Sequence, residues 1–234
     1  MDLNCDDGTC DTGFLTSDRK IEIDAQQDRL IYFGDPMCSW CWGITNHLDA
    51  LKNEYANQLD FELVLGGLRP GGGDQWTPQF REMIKGHWQH VEKASGQPFD
   101  YSFFEREQFN YDTEPSARAV RVVRDLAPEK EWLFYKALQR YFYAENKDIS
   151  DLGVLKTLCD QLEIDSKLFE TLFESLGYKQ LVMQDFATAQ QFGISGFPSV
   201  VLQKGEEYYA ISRGFSTFEN MNTIVEQILV PSRF

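Results

Sequence analysis

The stretch FGDPMCSWCWG, Phe33 to Gly43, sets Cys38 and Cys41 three residues apart beside an aspartate, a proline and two tryptophans. Before it, RLIYF (Arg29–Phe33) is a short β-rich run that stops at Gly34-Asp35-Pro36. After it, Ile44, Leu48, Leu51 and Tyr55 recur every three or four residues, the period of a helix. FELVLGGL (Phe61–Leu68) is strand-like again and closes on Gly66-Gly67. Strand, helix, strand in that order predicts a right-handed βαβ unit with parallel strands, and places the CxxC where the first strand hands over to the first helix.

From Asp74 to about Gly193 the pattern is almost wholly helical. Thr77-Pro78 supplies an N-cap and a first-turn proline, and Gly96 a stop, for one helix. Further helices are expected at Pro115–Leu126, Glu129–Tyr143, Asp151–Leu162 behind a Ser150 cap, Ser166–Leu176 ending at Gly177, and Lys179–Phe192 ending at Gly193. Strands then return: SVVLQ (Ser199–Gln203) and YYAIS (Tyr208–Ser212) flank the turn KGEE, and FENMNTIVEQIL forms a last helix. The order is βαβ, about 120 helical residues, then ββα. Neither end has strands enough to stand alone, so the two ends are expected to share one sheet. The expected domains are an N-terminal extension (1–28), an α/β domain made of 29–73 and 194–234, and a helical insertion (74–193).

Two cysteines at i and i+3 that open a helix are suited to a zinc site, a structural crosslink or a redox pair. Zinc needs two more ligands; no second CxxC exists, and His47, His87 and His90 lack a finger-like spacing, so no metal is expected. A redox pair uses the helix terminus, whose free N–H groups and dipole favour a thiolate. On that reading the Cys38 pKa falls below the free value of about 8.5, into a range of about 3.5–7.5. Cys38 is then the nucleophile and Cys41 the resolving thiol that releases a mixed disulfide.

GISGFPSV (Gly193–Val200) puts Phe197-Pro198 just before a strand. Together with the CxxC segment it resembles the thioredoxin superfamily, and the long helical insertion resembles that superfamily's DsbA-like branch. The resemblance implies a thioredoxin fold, a cis-proline at Pro198 lying against the CxxC, and Phe197 beside it facing substrate. DPMCSWCWG and GGLRPGG further resemble the cytoplasmic FrnE-like oxidoreductases, over roughly Leu30 to Leu229. The implied activity is thiol–disulfide exchange through Cys38-Ser39-Trp40-Cys41 on protein or small-molecule disulfides and thiols. Catalysis is assigned to Cys38, Cys41 and Pro198, and substrate contact to Phe197, Trp40 and Ser39. Ser39-Trp40 replaces the Pro-His of periplasmic DsbA, so the strongly oxidising character of DsbA is not carried over.

Two other functions share the architecture. Glutathione-dependent isomerases of 2-hydroxychromene-2-carboxylate and kappa-class glutathione transferases use a serine where Cys38 stands here. A client-binding adaptor would use the Phe-rich insertion as its surface. Asp35, three residues before Cys38, reads either as a proton-handling carboxylate or as a turn and helix-entry cap. Trp40 and Trp42 either shield the pair or pack around it. GGLRPGGG (Gly66–Gly73) reads as a flexible exit into the insertion, with Arg69 available to a carboxylate such as glutathione's. Cys5 and Cys10 flank the turn DDGT as a second redox pair, as part of a soft metal site completed elsewhere, or as incidental thiols; Cys159 lies among leucines as an inert buried thiol.

Composition fits this. The chain of 234 residues is 42% hydrophobic and 14% aromatic, enough for a packed core. The net charge of −15 argues against nucleic acid, because phosphate binding needs clustered Lys and Arg. Arg118, Arg121 and Arg124, at helical spacing, read as a solvated helix face. The N-terminus has no basic leader or apolar run, and no stretch approaches a membrane span, so a cytoplasmic setting without membrane partners is expected. No flavin, nicotinamide or haem motif is visible. No cofactor is expected beyond glutathione as a co-substrate, and oligomeric state is not fixed.

Overall fold

Leu30 and Tyr32 point to one face of the first strand, Ile31 and Phe33 to the other, and all four are buried. A strand without polar alternation is covered on both faces and belongs at the centre of a sheet. The computed structural model, which describes residues 27–73 and 75–229, places it there. β1 (Arg29–Gly34) pairs in parallel with β2 (Asp60–Leu65) and antiparallel with β3 (Ser199–Lys204), which pairs antiparallel with β4 (Glu207–Arg213). The sheet order is β2-β1-β3-β4, so both ends of the chain build one mixed α/β sheet, as expected of a thioredoxin fold.

Between β1 and β2 runs α1 (Ser39–Glu54). The helical stretch contains α2 (Pro78–Ser95), α3 (Glu114–Leu126), α4 (Glu131–Ala144), α5 (Leu152–Gln161), α6 (Ser166–Glu174) and α7 (Leu176–Gln191); α8 (Phe218–Leu229) follows β4. One face of the sheet meets α1, α4 and α8 in a large core; α7 covers β2 on the opposite face over Ile31, Phe33, Val64 and Val201. The insertion shares the large core: Trp88, Phe103, Phe142 and Tyr143 pack edge and face around one another and are fully buried. Phe80, Phe99, Phe104 and Phe109 of the same stretch are half-buried, and Phe192 is exposed.

Thr77 caps α2 by accepting from the Phe80 amide, and Gly96 ends it at φ 70°. Other expectations need correction. Asp151, not Ser150, caps α5, accepting from the Val154 amide at 3.0 Å, while Ser150 turns back onto Asp148. Gly177 does not end a helix. Ser175 separates α6 from α7, its Oγ donating to Leu172 O at 2.7 Å and accepting from Tyr178 N, so one hydroxyl serves both helix ends. The α3 arginines are not a solvated face. Arg118 is buried, ion-paired to Glu114 and donating to Phe173 O; Arg124 binds Glu131, Asp185 and Leu63 O. Arg124 thereby braces the insertion against β2, and Arg118 ties α3 to α6.

Candidate active site

The site begins where β1 runs out. Gly34 lacks a side chain because a Cβ there would lie 2.6 Å from the Tyr32 hydroxyl and 2.7 Å from that of Tyr135. Asp35, fully buried, then ties two loops: Oδ1 accepts from Met37 N at 2.9 Å, Oδ2 from Leu68 N at 2.8 Å, and its backbone oxygen from Cys38 N at 3.1 Å. These bonds make it a turn-former that clamps the β1–α1 turn to the chain leaving β2. Burial pushes its pKa up to about 6, against the pull of the Leu68 and Met37 amides. The carboxyl therefore changes charge close to neutrality as well.

Cys38 is the N-cap of α1. Its Sγ accepts from Cys41 N at 3.4 Å and its thiol donates to Phe197 O at 3.5 Å. It is 5% exposed, while Cys41, one turn deeper, is at 0%. The expectation of a depressed Cys38 pKa is corrected here. The hydrogen bond with the Cys41 thiol and then burial push Cys38 up, the negative charge of Asp35 adds to this, and only the Cys41 amide pulls down. Sequence reasoning counted the helix terminus and not the closed surroundings of the sulfur.

The second wall of the site comes from 159 residues downstream. Phe197-Pro198 is a cis peptide, Pro198 is buried, and Pro198 O accepts from Gly214 N at 2.7 Å. The Phe197 ring lies against Gly66, where a Cβ would stand 2.1 Å from it. Ser39 and Trp40 are half-buried, with Trp40 5.6 Å from the Phe215 ring, which also meets His47 at 5.6 Å. Trp42 turns inward, donating to Pro98 O at 3.2 Å and stacking on Tyr143. The Gly-rich loop is fastened rather than free: Arg69 N donates to Thr113 Oγ1, Gly71 N to Asp112 and Gly73 N to Asn110, and the Arg69 guanidinium sits over the Phe80 ring.

Thus Cys38, Cys41, Asp35, Phe197 and Pro198 meet in one place, with Ser39 and Trp40 beside them. Cys5 and Cys10 lie outside the described residues. Cys159 is buried, its pKa pushed up to about 12 by burial. Among the described residues no group of three or more His, Cys, Asp or Glu is placed to hold a metal. Several participants escaped the sequence reading: Tyr111, whose hydroxyl donates to Met37 O at 2.9 Å, and Tyr32, Thr45, Tyr135 and Gln139, which form a buried polar chain beneath Cys41. Tyr32 shares its face of β1 with Leu30 and Gly34, which period-2 alternation reveals; the others had no local signal.

The family model described as Thioredoxin matches residues 32–225. Among solved structures, a "putative protein disulfide isomerase" from Nitrosomonas europaea is 35% identical with a TM-score of 0.79, covering 87% of this chain and 98% of that one. The cytosolic disulfide reductase DsbM from Pseudomonas aeruginosa is 22% identical with a TM-score of 0.71, over 86% and 98% of the two chains. The same reductase solved with GSH gives 23%, 0.69, and the same coverages. The search of curated proteins returns no match.

Proposed function

This chain belongs to the thioredoxin family, within which its fold is DsbA-like, and on that premise we propose that it is a thiol–disulfide oxidoreductase working through Cys38 and Cys41. The observation that carries the reading is the Cys38 sulfur, set at the start of α1 against the Phe197 carbonyl and within reach of a second thiol. The Cys38 thiolate attacks a substrate disulfide, forms a mixed disulfide, and releases one substrate thiolate, which takes up a proton. Cys41 gives up its proton and attacks Cys38 Sγ; the second substrate thiol leaves and the Cys38–Cys41 disulfide remains. Two electrons pass from the pair to the substrate, and two thiols return them by the reverse steps. Phe197 and Pro198 form the wall along which an extended substrate lies, with Trp40 and Ser39 at its other side.

Substrates are protein or small-molecule disulfides and thiols, with glutathione as the co-substrate that resets the pair; a reductase of the same fold has been solved with GSH. The proposed setting is cytoplasmic. No helix of the described residues is long and apolar enough to cross a membrane.

The test is exchange with oxidised glutathione and with a disulfide-bonded protein. Cys38→Ser should abolish both, and Cys41→Ser should accumulate a mixed disulfide on Cys38, identified by mass spectrometry. Full exchange by Cys38→Ser would reject the assignment. Conversion of glutathione conjugates surviving loss of both cysteines would redirect it to the glutathione-dependent isomerases and transferases, and client binding untouched by that loss to an adaptor.

A further inference from the structure

Met37 is the residue before the nucleophile, and the backbone around it is tied down. Its amide donates to Asp35 Oδ1 at 2.9 Å, and the next amide, that of Cys38, donates to Asp35 O at 3.1 Å. The Met37 carbonyl lies just ahead of α1 and is buried, so it needs a donor. The Cys41 amide, which a continuous helix would offer it, turns to Cys38 Sγ instead, at 3.4 Å. The donor comes from the insertion: the hydroxyl of buried Tyr111, 2.9 Å away. A carbonyl only accepts, so the direction of this bond is fixed. Tyr111 is itself held. Its ring meets Phe109 and Phe142 edge-on at 5.7 and 5.8 Å. Farther along the same loop, Arg69 N donates to Thr113 Oγ1 at 3.0 Å and Thr113 N to Arg69 O at 3.1 Å. Leu68, next to Arg69, donates its amide to Asp35 Oδ2 at 2.8 Å. The turn before α1, the chain leaving β2 and the loop before α3 are thus clasped pairwise in a closed ring.

We propose that Tyr111 is a positioning residue for the exchange reaction. It fixes the Met37–Cys38 peptide plane at the carbonyl end, as Asp35 does at the amide end, and so sets where the Cys38 sulfur points. The inference rests on the oxidoreductase reading above. Cys38 sits at φ −90° and ψ 115°. Its φ is the rotation about the bond that joins this plane to the rest of the residue, so a plane free to turn leaves the sulfur free to swing. Attack on a disulfide needs the three sulfurs nearly in line, with the substrate lying along Phe197 and Pro198. A wandering sulfur meets that demand less often.

The test uses the full chain carrying Cys5→Ser, Cys10→Ser and Cys41→Ser, so that capture stops at the mixed disulfide. With oxidised glutathione, the Cys38 thiolate attacks one sulfur and the Cys38–glutathione disulfide forms. One glutathione thiolate leaves and takes up a proton, and mass spectrometry times the adduct. Iodoacetamide labelling of Cys38 at the same pH is the control, because a small alkylating agent needs neither the wall nor collinear sulfurs. In Tyr111→Phe capture should slow about tenfold to a hundredfold, while labelling stays within twofold of the parent. Loosening of the fold alone would not separate the two rates. Capture within twofold of the parent, or capture and labelling slowed alike, overturns the inference. Should that variant fail to fold, Thr113→Val, which unclasps the same loop, decides by the same two rates: capture slowed alone supports the inference, and any other result overturns it. No adduct in the parent overturns the oxidoreductase reading itself and this inference with it, a distinct result.

Discussion

The sulfur of Cys38 lies 3.5 Å from the carbonyl oxygen of Phe197, so the first helix and the loop before β3 close on each other across the whole insertion. That contact puts the nucleophile and the substrate wall in one place. It also buries the nucleophile, and burial sets the first prediction.

Cys38 should resist alkylation at neutral pH. Its hydrogen bond with Cys41, and then burial, favour the protonated thiol, so the reactive anion appears only as pH rises. The midpoint of iodoacetamide labelling against pH should lie above the free-thiol value of about 8.5. Cys41→Ala removes the largest of these causes and should move the midpoint down. A wild-type midpoint near 6 would contradict this account of the closed site.

Asp35 should make stability depend on pH in the reverse of the usual acid-denaturation sense. Its folded pKa of about 6 lies above the ordinary carboxylate value, so the folded chain binds this proton more tightly than the unfolded one. The stabilisation is complete below the unfolded pKa of about 3.9 and is lost as pH rises through about 6. At about two pKa units the change is of order 3 kcal/mol. Urea titrations of wild type and Asp35→Asn at several pH values isolate it: the wild type should lose about that much relative to the variant between pH 4 and 7.

Gly66→Ala should disturb the Phe197 loop from β2. The new methyl would stand 2.1 Å from the Phe197 ring, which must move. Overpacking of this kind costs about 1–3 kcal/mol. Exchange activity should fall more than stability does, because the displaced residue carries the carbonyl against Cys38. Shrinking the ring, Phe197→Leu in the Gly66→Ala background, should restore part of both. Additive losses in that double-mutant cycle would show that the two sites act separately.

Arg124→Met should destabilise the chain without touching the chemistry. Arg124 joins Glu131, Asp185 and the Leu63 carbonyl, and its loss strands two carboxylates that are mostly covered. A cost of about 3 kcal/mol is expected from breaking such a cluster. Denaturant midpoints should drop while exchange activity per folded molecule holds. An equal drop in both would place Arg124 nearer the site than its contacts do.

Local chemistry made much of this chain legible. The period of Ile44, Leu48 and Leu51 gave α1, the two runs at Arg29 and Phe61 gave parallel strands, and Thr77-Pro78 with Gly96 bounded α2 closely. Each depends on neighbours within about one helical turn, so sequence spacing reports it directly. The helix break at Ser175 was missed because a serine bonded to both helix ends outweighs the flexibility of Gly177. The α3 arginines were misread because helical spacing shows which residues share a face, not what packs against it.

The cysteine pair, the strand–helix order and the position of Phe197-Pro198 were set by the primary structure, since each is a matter of residue type and spacing. The acidity of Cys38 was decided elsewhere. A helix terminus favours its anion, but the fold then closes Phe197, Cys41 and a buried carboxylate around the sulfur, and desolvation and charge depend on distances between segments far apart in the chain. The same is true of Tyr135, Gln139 and Thr45. Each reads locally as an ordinary helical residue, and only when α4 packs on α1 do they join in one buried hydrogen-bonded group.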